Sequence, residues 1–376
     1  MPSRQPRSIV KIMGVAVPGF IDWEVENNIF READTFRVSF AVQALPKNMD
    51  ASWLSNMNAA VSVEILAGFP ANPDAPVESE LESLILGNAD QIHFDPIQNN
   101  IEISGRDLTL LLIDTKTTEK FQNQTASQIA SALAQRHGLT PVVSETSTKV
   151  GKYYEIDHAK MNVEQSEWDL ITWLAAEEQF VAYVKGRSLY FQPADSATSS
   201  TYPLQWTPGI IPVFGGVDLR LSRSLTLARD ISVTVHSWNQ KQKTGFYRTV
   251  TATKNGIKLS DNGGTISSSG GVNIAPQLQK PTIQYYNYTF ANLTPDQATK
   301  KAVEILGNLS MHEMKMTATL LADNVLSTAT PIQLQGTGTA WDQLYYPESV
   351  RRTMSMDEGY LMTVSAKNTS PQSVTQ

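Results

Sequence analysis

The sequence predicts an α+β protein in which two blocks of antiparallel strands flank a shorter block that contains helices. Three observations support this fold class. Apolar and polar residues alternate over the first hundred residues, helix signals begin near residue 106, and strand patterns return after residue 196. The 376 residues, 41% of them hydrophobic and 18% charged, suffice for two or three folded domains.

The first block is predicted from period-two patterns. The segments "TFRVSFAV" (35–42) and "VSVEILAG" (61–68) each place their apolar residues on one face. The segment "QIHFDPIQNNIEISGRD" (91–107) has the pattern of a strand, a turn and a second strand, and the Pro-, Ala- and Asp-rich stretch 70–80 is predicted to be a loop. Residues 1–105 are therefore expected to form an antiparallel sheet or a small barrel.

The middle block, 106–195, is predicted to be a small α/β domain. In "FQNQTASQIASALAQRHGL" both Asn123 and Thr125 can cap a helix that stops at Gly138. A second helix follows Ser166, with Asp169 three residues later in a box-like capping pattern. The segments "FVAYV" and "SLYF" flank Lys-Gly-Arg, which predicts a hairpin.

The third block, 196–376, returns to strand patterns at 230–238, 246–253, 331–338 and 359–367. One helix interrupts it, with Thr294 as the cap and Pro295 at the first position. A Gly- and Ser-rich stretch around 255–281 is predicted to be a flexible insertion, and the last residues to be a loose tail.

Trp168 and Trp173 stand just ahead of the acidic pair Glu177 and Glu178, which raises the alternative of an active-site helix. Adjacent residues on a helix point about 100° apart, so the two glutamates cannot flank one sugar as a glycosidase requires. A partner such as Asp157 would have to approach through the fold. Core packing is therefore the favoured interpretation of both tryptophans.

Other chemistry is poorly supported. The chain has no cysteine, no Gly-rich phosphate loop and no GxSxG elbow. The histidines are scattered without metal-ligand spacing: His93, His137, His158, His236 and His312. We predict no catalytic, cofactor-binding or metal-ligating residues, no cofactor, and a protein that is not an enzyme.

Charge and hydropathy restrict partners and location. The net charge of −7, from 37 acidic and 30 basic residues without a basic run, argues against nucleic acid as the main partner. Lys11 interrupts the apolar N-terminal stretch and Pro18 ends it, so a signal peptide is not expected. No segment reaches the roughly 18 apolar residues of a membrane span, and no stable membrane binding is expected.

Three segments in order resemble the tail hub family: "IEISGRDLTLLLID" (101–114), "FQNQTASQIASALAQRHGL" (121–139) and "NVEQSEWDLITWLAAEEQFVAYVKGRSLYF" (162–191). This family includes the baseplate hub of contractile-tailed phages, of the phage late control D type, and the N-terminal module of type VI secretion spike proteins. The carboxyl half is similar too, in "ISVTVHSWNQK", "TPDQATKKAVEIL" and "IQLQGTGTAWDQLYYPESVRRTMSMDEGYLMTV".

The resemblance implies two antiparallel β-barrel domains similar to tail-tube subunits, joined by the α/β domain, with a helix inserted in the second barrel. Residues 1–105 would form the first barrel, 106–195 the α/β domain and 196–376 the second. It also implies a homotrimer whose six barrels form a ring. Such a ring adapts the hexameric tail tube to the trimeric spike in the virion baseplate, after assembly in the host cytoplasm.

The implied partners are the spike protein, the tail tube or a tube-initiator protein, baseplate wedge proteins and the tape measure protein. DNA would pass in transit through a channel lined by acidic or polar residues. No lysozyme-like or peptidoglycan-binding module is recognised, which assigns puncture chemistry to another protein. Two alternatives stay open: the hub of a bacteriocin-like or type VI-like particle, and a cell-wall hydrolase.

Overall fold

A computed structural model describes most of the chain. The described residues are 5–29, 32–47, 51–56, 60–117, 119, 121, 123–147, 165–178, 180–193, 201–207, 213–223, 230–239, 244–253, 256–260, 265–266, 283–291, 293–310 and 314–368. As predicted, the fold is α+β and largely antiparallel sheet, with few helices.

The first sheet unit is built by strands in the N-terminal block. They are β1 (Arg7–Ile12), β2 (Val15–Val17), β3 (Phe20–Asn28), β4 (Thr35–Ala41), β5 (Ser62–Gly68), β6 (Glu82–Asp95) and β7 (Asn100–Asp107). Their order across the sheet is β3-β4-β7-β6-β5-β1-β2, with every pair antiparallel. A short helix, α1 (Ala51–Ser55), lies between β4 and β5.

The second sheet unit combines segments from both ends of the third block. It contains β13 (Tyr202–Thr207), β14 (Val213–Phe214), β15 (Gly216–Arg223), β21 (Met314–Leu321), β22 (Ile332–Gln335), β23 (Leu344–Ser355) and β24 (Gly359–Lys367). Their order is β15-β21-β24-β23-β22-β13-β14. Taken in chain order, these seven strands occupy the same sheet positions as β1 to β7, so the topology is duplicated. The one difference is that β13 pairs parallel with β22, whereas β1 pairs antiparallel with β5.

The two sheet units are joined edge to edge. Residues 349–355 of β23 pair antiparallel with residues 22–28 of β3, which makes one 14-stranded sheet. A single apolar core runs beneath both units, and Trp23, Phe40 and Tyr345 are among its fully buried side chains. Burial of this apolar area is the main stabilising contribution to the joint.

The described residues of the middle block form a small α/β unit. Its elements are α2 (Leu110–Asp114), β8 (Lys116–Thr117), α3 (Ala126–Arg136), β9 (Thr140–Val143), β10 (Gln165–Ser166), α4 (Glu167–Glu178), β11 (Phe180–Lys185) and β12 (Ser188–Pro193). The predicted hairpin is confirmed: β11 and β12 pair antiparallel and turn at Gly186, whose φ is +58°. A separate core packs both long helices against this hairpin.

Both predicted caps of this unit are confirmed. Thr125 accepts the backbone N–H of Gln128, whose side chain accepts the N–H of Thr125 in return. Ser166 and Asp169 form the same reciprocal pair at the start of α4. Gly138, just past α3, has the left-handed φ of +69° expected of a terminating glycine.

The single strand block predicted for 196–376 is divided between two sheets. Strands β16 (Asp230–Asn239), β17 (Thr244–Thr253), β18 (Gly256–Ser260), β19 (Thr265–Ile266) and β20 (Ile283–Ala291) form a five-stranded sheet of their own. The predicted helix, α5 (Pro295–Ser310), is capped by Thr294 and Gln297 and packs on β16 and β17 with a separate core. The helix therefore packs on this added sheet, and both are inserted between β15 and β21 of the second sheet unit.

Candidate functional site

The "SGRD" segment of the motif is located where the first sheet unit meets the α/β unit. Gly105 lies on β7 opposite Ala89 of β6. A Cβ added to Gly105 would lie 2.0 Å from the carbonyl oxygen of Asn88, so no larger residue fits without moving the backbone. This close approach explains why glycine stands at that position.

Arg106 links the hairpin to the helix that follows it. Its Nε donates to Asp90 Oδ2 at 2.7 Å and its Nη2 to Asp90 Oδ1 at 3.0 Å, a bidentate pair. The same guanidinium contacts Asp114 of α2 at 3.2 Å. Hydrogen bonding to Asp90 is the largest cause that holds the pKa of Arg106 above its ordinary value.

Asp107 is buried at the end of β7. Its two carboxyl oxygens accept hydrogen bonds from the backbone N–H and the hydroxyl of Thr109, at 3.2 and 2.9 Å. Burial, followed by the charge of Asp34, raises the pKa of Asp107 to about 8. Burial also raises the pKa of Asp34, which accepts hydrogen bonds from the Asn27 side chain and the Asn28 backbone.

Both carboxyls line a groove of about 940 Å³ between the joined sheet and the α/β unit. Each of the four carboxyl oxygens is engaged by a neighbouring residue of the same segment. These bonds fix the loops that lead into and out of the sheet. Asp107 ends the SGRD segment that carries the family resemblance, and it follows Ile101, Ile103 and Gly105 at the inward-facing positions of β7. No sequence pattern pointed to Asp34.

Arg352 fastens the joint between the two sheet units. It is 4% exposed, and its guanidinium donates to Asn27 Oδ1 at 3.2 Å and to the backbone carbonyl of Asp323 at 3.1 Å. A further bond reaches the carbonyl of Leu326. One planar donor fork thus ties β23, β3 and the loop after β21 together, which a lysine could not reproduce.

The residues that the sequence raised as an active-site alternative do not form one cluster. Trp168 is buried in the core of the α/β unit and Trp173 packs against that core, which confirms the packing interpretation. Glu177 is exposed and Glu178 half-buried at the end of α4. Asp157 lies outside the described residues.

A fully buried glutamate at the start of α4 was missed. Glu167 receives Arg136 Nη1 at 2.5 Å and His137 Nε2 at 2.6 Å from the end of α3. This ion pair aligns the two helices of the α/β unit. The signal available in the sequence was an acidic residue in the first turn of a helix between two inward-facing positions.

The histidines are separate from one another. His137 is engaged by Glu167, His93 is exposed on β6, and His236 contacts the ring of Tyr247. His158 and His312 lie outside the described residues. Within the part of the chain that the structure describes, no three His, Asp or Glu side chains are grouped as a metal site would need.

The joined sheet presents bare strand edges that could bind another chain. Among the described residues, β15 pairs only with β21, so its other edge is open. β6 pairs with β5 only as far as Asn88, and the N–H of Ala89 donates one more bond to the carbonyl of Val61. The strand then continues to Asp95 without a partner on that side among the described residues. The tip of this extension exposes Phe94 (51%) and Ile97 (93%). Bare edges and exposed apolar tips are typical of assembly surfaces.

The polar face of the sheet, opposite the core, carries paired charges and hydroxyls. Arg37 contacts Asp22 at 2.9 Å and Glu102 at 3.1 Å across three neighbouring strands. Thr319 and Thr363 share a hydrogen bond at 3.2 Å in the second sheet unit.

No helix in the described part of the chain is long and apolar enough to span a membrane.

Comparison with known proteins identifies solved structures that have the same fold. No sequence model of a protein family matches the chain, and no curated protein matches it. A tail protein from Neisseria meningitidis MC58 is 11% identical with a TM-score of 0.65, and the match covers 98% of this chain and 99% of that one. The 43 kDa tail protein of prophage MuSo2 from Shewanella oneidensis is 13% identical with a TM-score of 0.63 and the same coverage.

An Escherichia coli component of the type VI secretion system is 12% identical with a TM-score of 0.51, covering 96% of this chain and 77% of that one. At these identities the comparison concerns the fold alone. The chain has the fold of phage and prophage tail proteins, shared with a type VI secretion component, as its sequence motifs predicted.

Proposed function

We propose that this chain is the structural baseplate hub of a contractile phage tail. The observation that carries the proposal is the duplicated sheet unit, in a fold that matches tail proteins over nearly their whole length. Each unit would act as one tube-like barrel domain, the first within 1–105 and the second within 196–376. The α/β unit 106–195 would join them.

Two similar units in each chain give a simple route to a symmetry adaptor. Three chains would supply six sheet units, which close into a ring with sixfold character on one face and threefold character on the other. Such a ring would match a hexameric tail tube above and a trimeric spike below. The β23–β3 joint supports this arrangement, because it already pairs two units side by side within one chain.

The ring would also need a channel through which DNA passes without binding. We propose that the polar face of the sheet lines it, because the Arg37 guanidinium there is offset by two carboxylates. Contacts with wedge, tape measure and tube-initiator proteins would involve the units outside the joined sheet. These units are the α/β domain and the β16–β20 sheet with α5.

The solution mass of the purified chain tests the ring. Light scattering after size-exclusion chromatography should give about three times the 41.5 kDa chain mass. The trimer should persist on dilution to micromolar concentration, because each chain of a closed ring is held by two interfaces. A mass of 41.5 kDa at every concentration, alone and with a co-expressed trimeric spike, would refute the hub.

A second candidate is the hub of a type VI-like or bacteriocin-like particle, which the Escherichia coli secretion component favours. The two hubs would have the same ring and would differ in the partner below it. Co-purification from the producing cells separates them: a phage hub should purify with virions that carry a DNA-filled head, whereas a secretion or bacteriocin-like particle carries no packaged DNA. Lysis of purified cell wall that is lost on mutation would instead favour the hydrolase.

A further inference from the structure

The two sheet units correspond in register as well as in strand order. The pairing of β3 with β4 shifts between Phe20 and Asp22, and the pairing of β15 with β21 shifts between Gly216 and Asp218. A second shift recurs in the long hairpins. It lies between Ala89 and Gln91 of β6 in one unit and between Pro347 and Ser349 of β23 in the other.

Bulges fix the register of the strands that contain them. Matching the two bulges aligns β15 with β3 and β6 with β23 residue by residue. On this alignment Leu221 corresponds to Val25, and Phe94 corresponds to Arg352. The alignment also preserves which side chains face the core: Met316, Ala318 and Leu320 of β21 match Phe36, Val38 and Phe40 of β4, and all six are buried.

The alignment identifies what the second unit lacks. Within the chain, β23 covers the outer edge of β3. A second joint of the same kind would use the counterparts of these two strands. They are β6, which corresponds to β23, and β15, which corresponds to β3. Among the described residues these two edges are bare, and β15 cannot reach β6 of its own chain because the rest of the sheet lies between them.

Side chains on the bare edges of β15 and β6 are more exposed than their counterparts on β3 and β23. This difference is expected if a neighbouring strand is absent from the bare edges. Trp23 and Val25 of β3 are fully buried, whereas their equivalents Leu219 and Leu221 on β15 are only partly buried. Phe94 is 51% exposed, whereas its equivalent Arg352 is 4% exposed. The side chains at both bare edges are therefore apolar but lack the neighbour that covers their counterparts.

We propose that β6 of one chain pairs antiparallel with β15 of a second copy, in the register of the β23–β3 joint. This inference rests on the proposed ring and specifies its interface. Arg352 faces Val25 and Thr353 faces Glu24 in the joint within the chain. The equivalent pairs between chains are Phe94 with Leu221 and Asp95 with Arg220.

These pairs are complementary. The first buries two apolar side chains on the core side of the sheet, and the second places a carboxylate opposite a guanidinium on the polar side. His93 would lie opposite Ser222, also on the polar side. Each chain offers one β6 edge and one β15 edge, so the contact is heterologous, and in the proposed trimer three such contacts would close the ring.

Disulfide trapping tests the register, and the absence of native cysteine makes the result unambiguous. In the double variant H93C/S222C, mild oxidation should give covalent trimers on a non-reducing gel. The control pair, H93C/R220C, is shifted by two residues. Diagonal neighbours have Cβ atoms roughly 7 Å apart, which is too far for a disulfide, so it should cross-link little.

Charge reversal is the second measurement. R220D should weaken the trimer about tenfold or more, because it places two carboxylates opposite each other, whereas R220K keeps the positive charge and should leave the trimer intact. The matched control is E358R, at the exposed turn of the β23–β24 hairpin, which should leave the trimer unchanged. Circular dichroism of each variant verifies that it is folded.

The outcomes separate the two proposals. A trimeric mass with no H93C/S222C cross-link, or with equal cross-linking by the shifted pair, overturns the β6–β15 interface and leaves the ring standing. A ladder of covalent species beyond the trimer supports the strand pairing but contradicts ring closure. A monomeric mass with no cross-link overturns both.

Discussion

Asp107 shows how one residue of the motif combines structural and electrostatic roles. It ends β7 on the buried side of the sheet and holds Thr109 through both carboxyl oxygens. Its environment disfavours the charged form, first by burial and then through Asp34. A carboxyl whose pKa is raised by folding makes the folded state less stable as pH rises.

We expect the substitution Asp107→Asn to change how stability depends on pH. The folded pKa of about 8 lies above the ordinary value of 3.8, so the folded chain retains a proton between pH 4 and 8 that the unfolded chain loses. Wild-type stability should therefore fall across this window by on the order of 3–5 kcal/mol from this group, whereas D107N should lack that component.

Denaturant unfolding of both proteins at several pH values measures the difference. The exposed Asp74→Asn serves as the control and should follow the wild type. Parallel pH profiles for the wild type and D107N would contradict the environment assigned to Asp107.

Among single residues, the sequence predicted those whose role is local. Trp168 is a large apolar residue on a helix, and burial followed from that. Thr125, Ser166 and Thr294 cap helices through partners three residues away, so spacing alone identified them. The partners of Glu167 and Arg352 were not predictable, because they come from distant segments of the chain.

At the scale of elements, the β6–β7 hairpin determines both the interior and the proposed interface. Its base is fixed by Gly105 and by the Arg106–Asp90 pair, and its tip carries Phe94 and Ile97 beyond the edge of β5. A hairpin held rigidly at its base can present its tip to another chain without a large loss of conformational entropy on binding.

The substitution Gly105→Ala should break this hairpin. The new Cβ would lie 2.0 Å from the carbonyl oxygen of Asn88, and backbone cannot move aside as a flexible side chain can. We expect a loss of about 3 kcal/mol or more in the free energy of unfolding. Chemical denaturation monitored by circular dichroism measures it.

Ser104→Ala, at the neighbouring outward-facing position of β7, is the matched control and should change stability by about 0.5 kcal/mol or less. Equal stability of G105A and S104A would show that the two strands do not approach as closely as described.

The sequence predicted which segments form strands better than it predicted which strands pair with each other. The alternation in β4, β5 and β24 was visible because one face of each strand is buried. β15 was missed because its edge is bare and its pattern is diluted by exposure. The β23–β3 joint was not predictable at all, since its partners lie more than 300 residues apart and no local pattern encodes that contact.

At the scale of the whole molecule, the central feature is duplication. Two sheet units with the same strand order and two matching bulges lie side by side in one chain. The second carries the added β16–β20 sheet with α5 between β15 and β21, which hid the repeat in the sequence. Both units present the corresponding two strands at their edges. The pairing that joins β23 to β3 within one chain can therefore also join β6 of one chain to β15 of a second copy.

The rotational symmetry of the purified particle is the measurement that decides whether the duplicated sheet units form a ring. End-on electron-microscope images of the wild-type protein should show a closed ring with six lobes, modulated into three alternating pairs, around a central channel. The pairs would reflect the two non-identical units of each chain. Two-fold particles, open arcs, or single lobes of one chain would contradict the ring of duplicated sheet units.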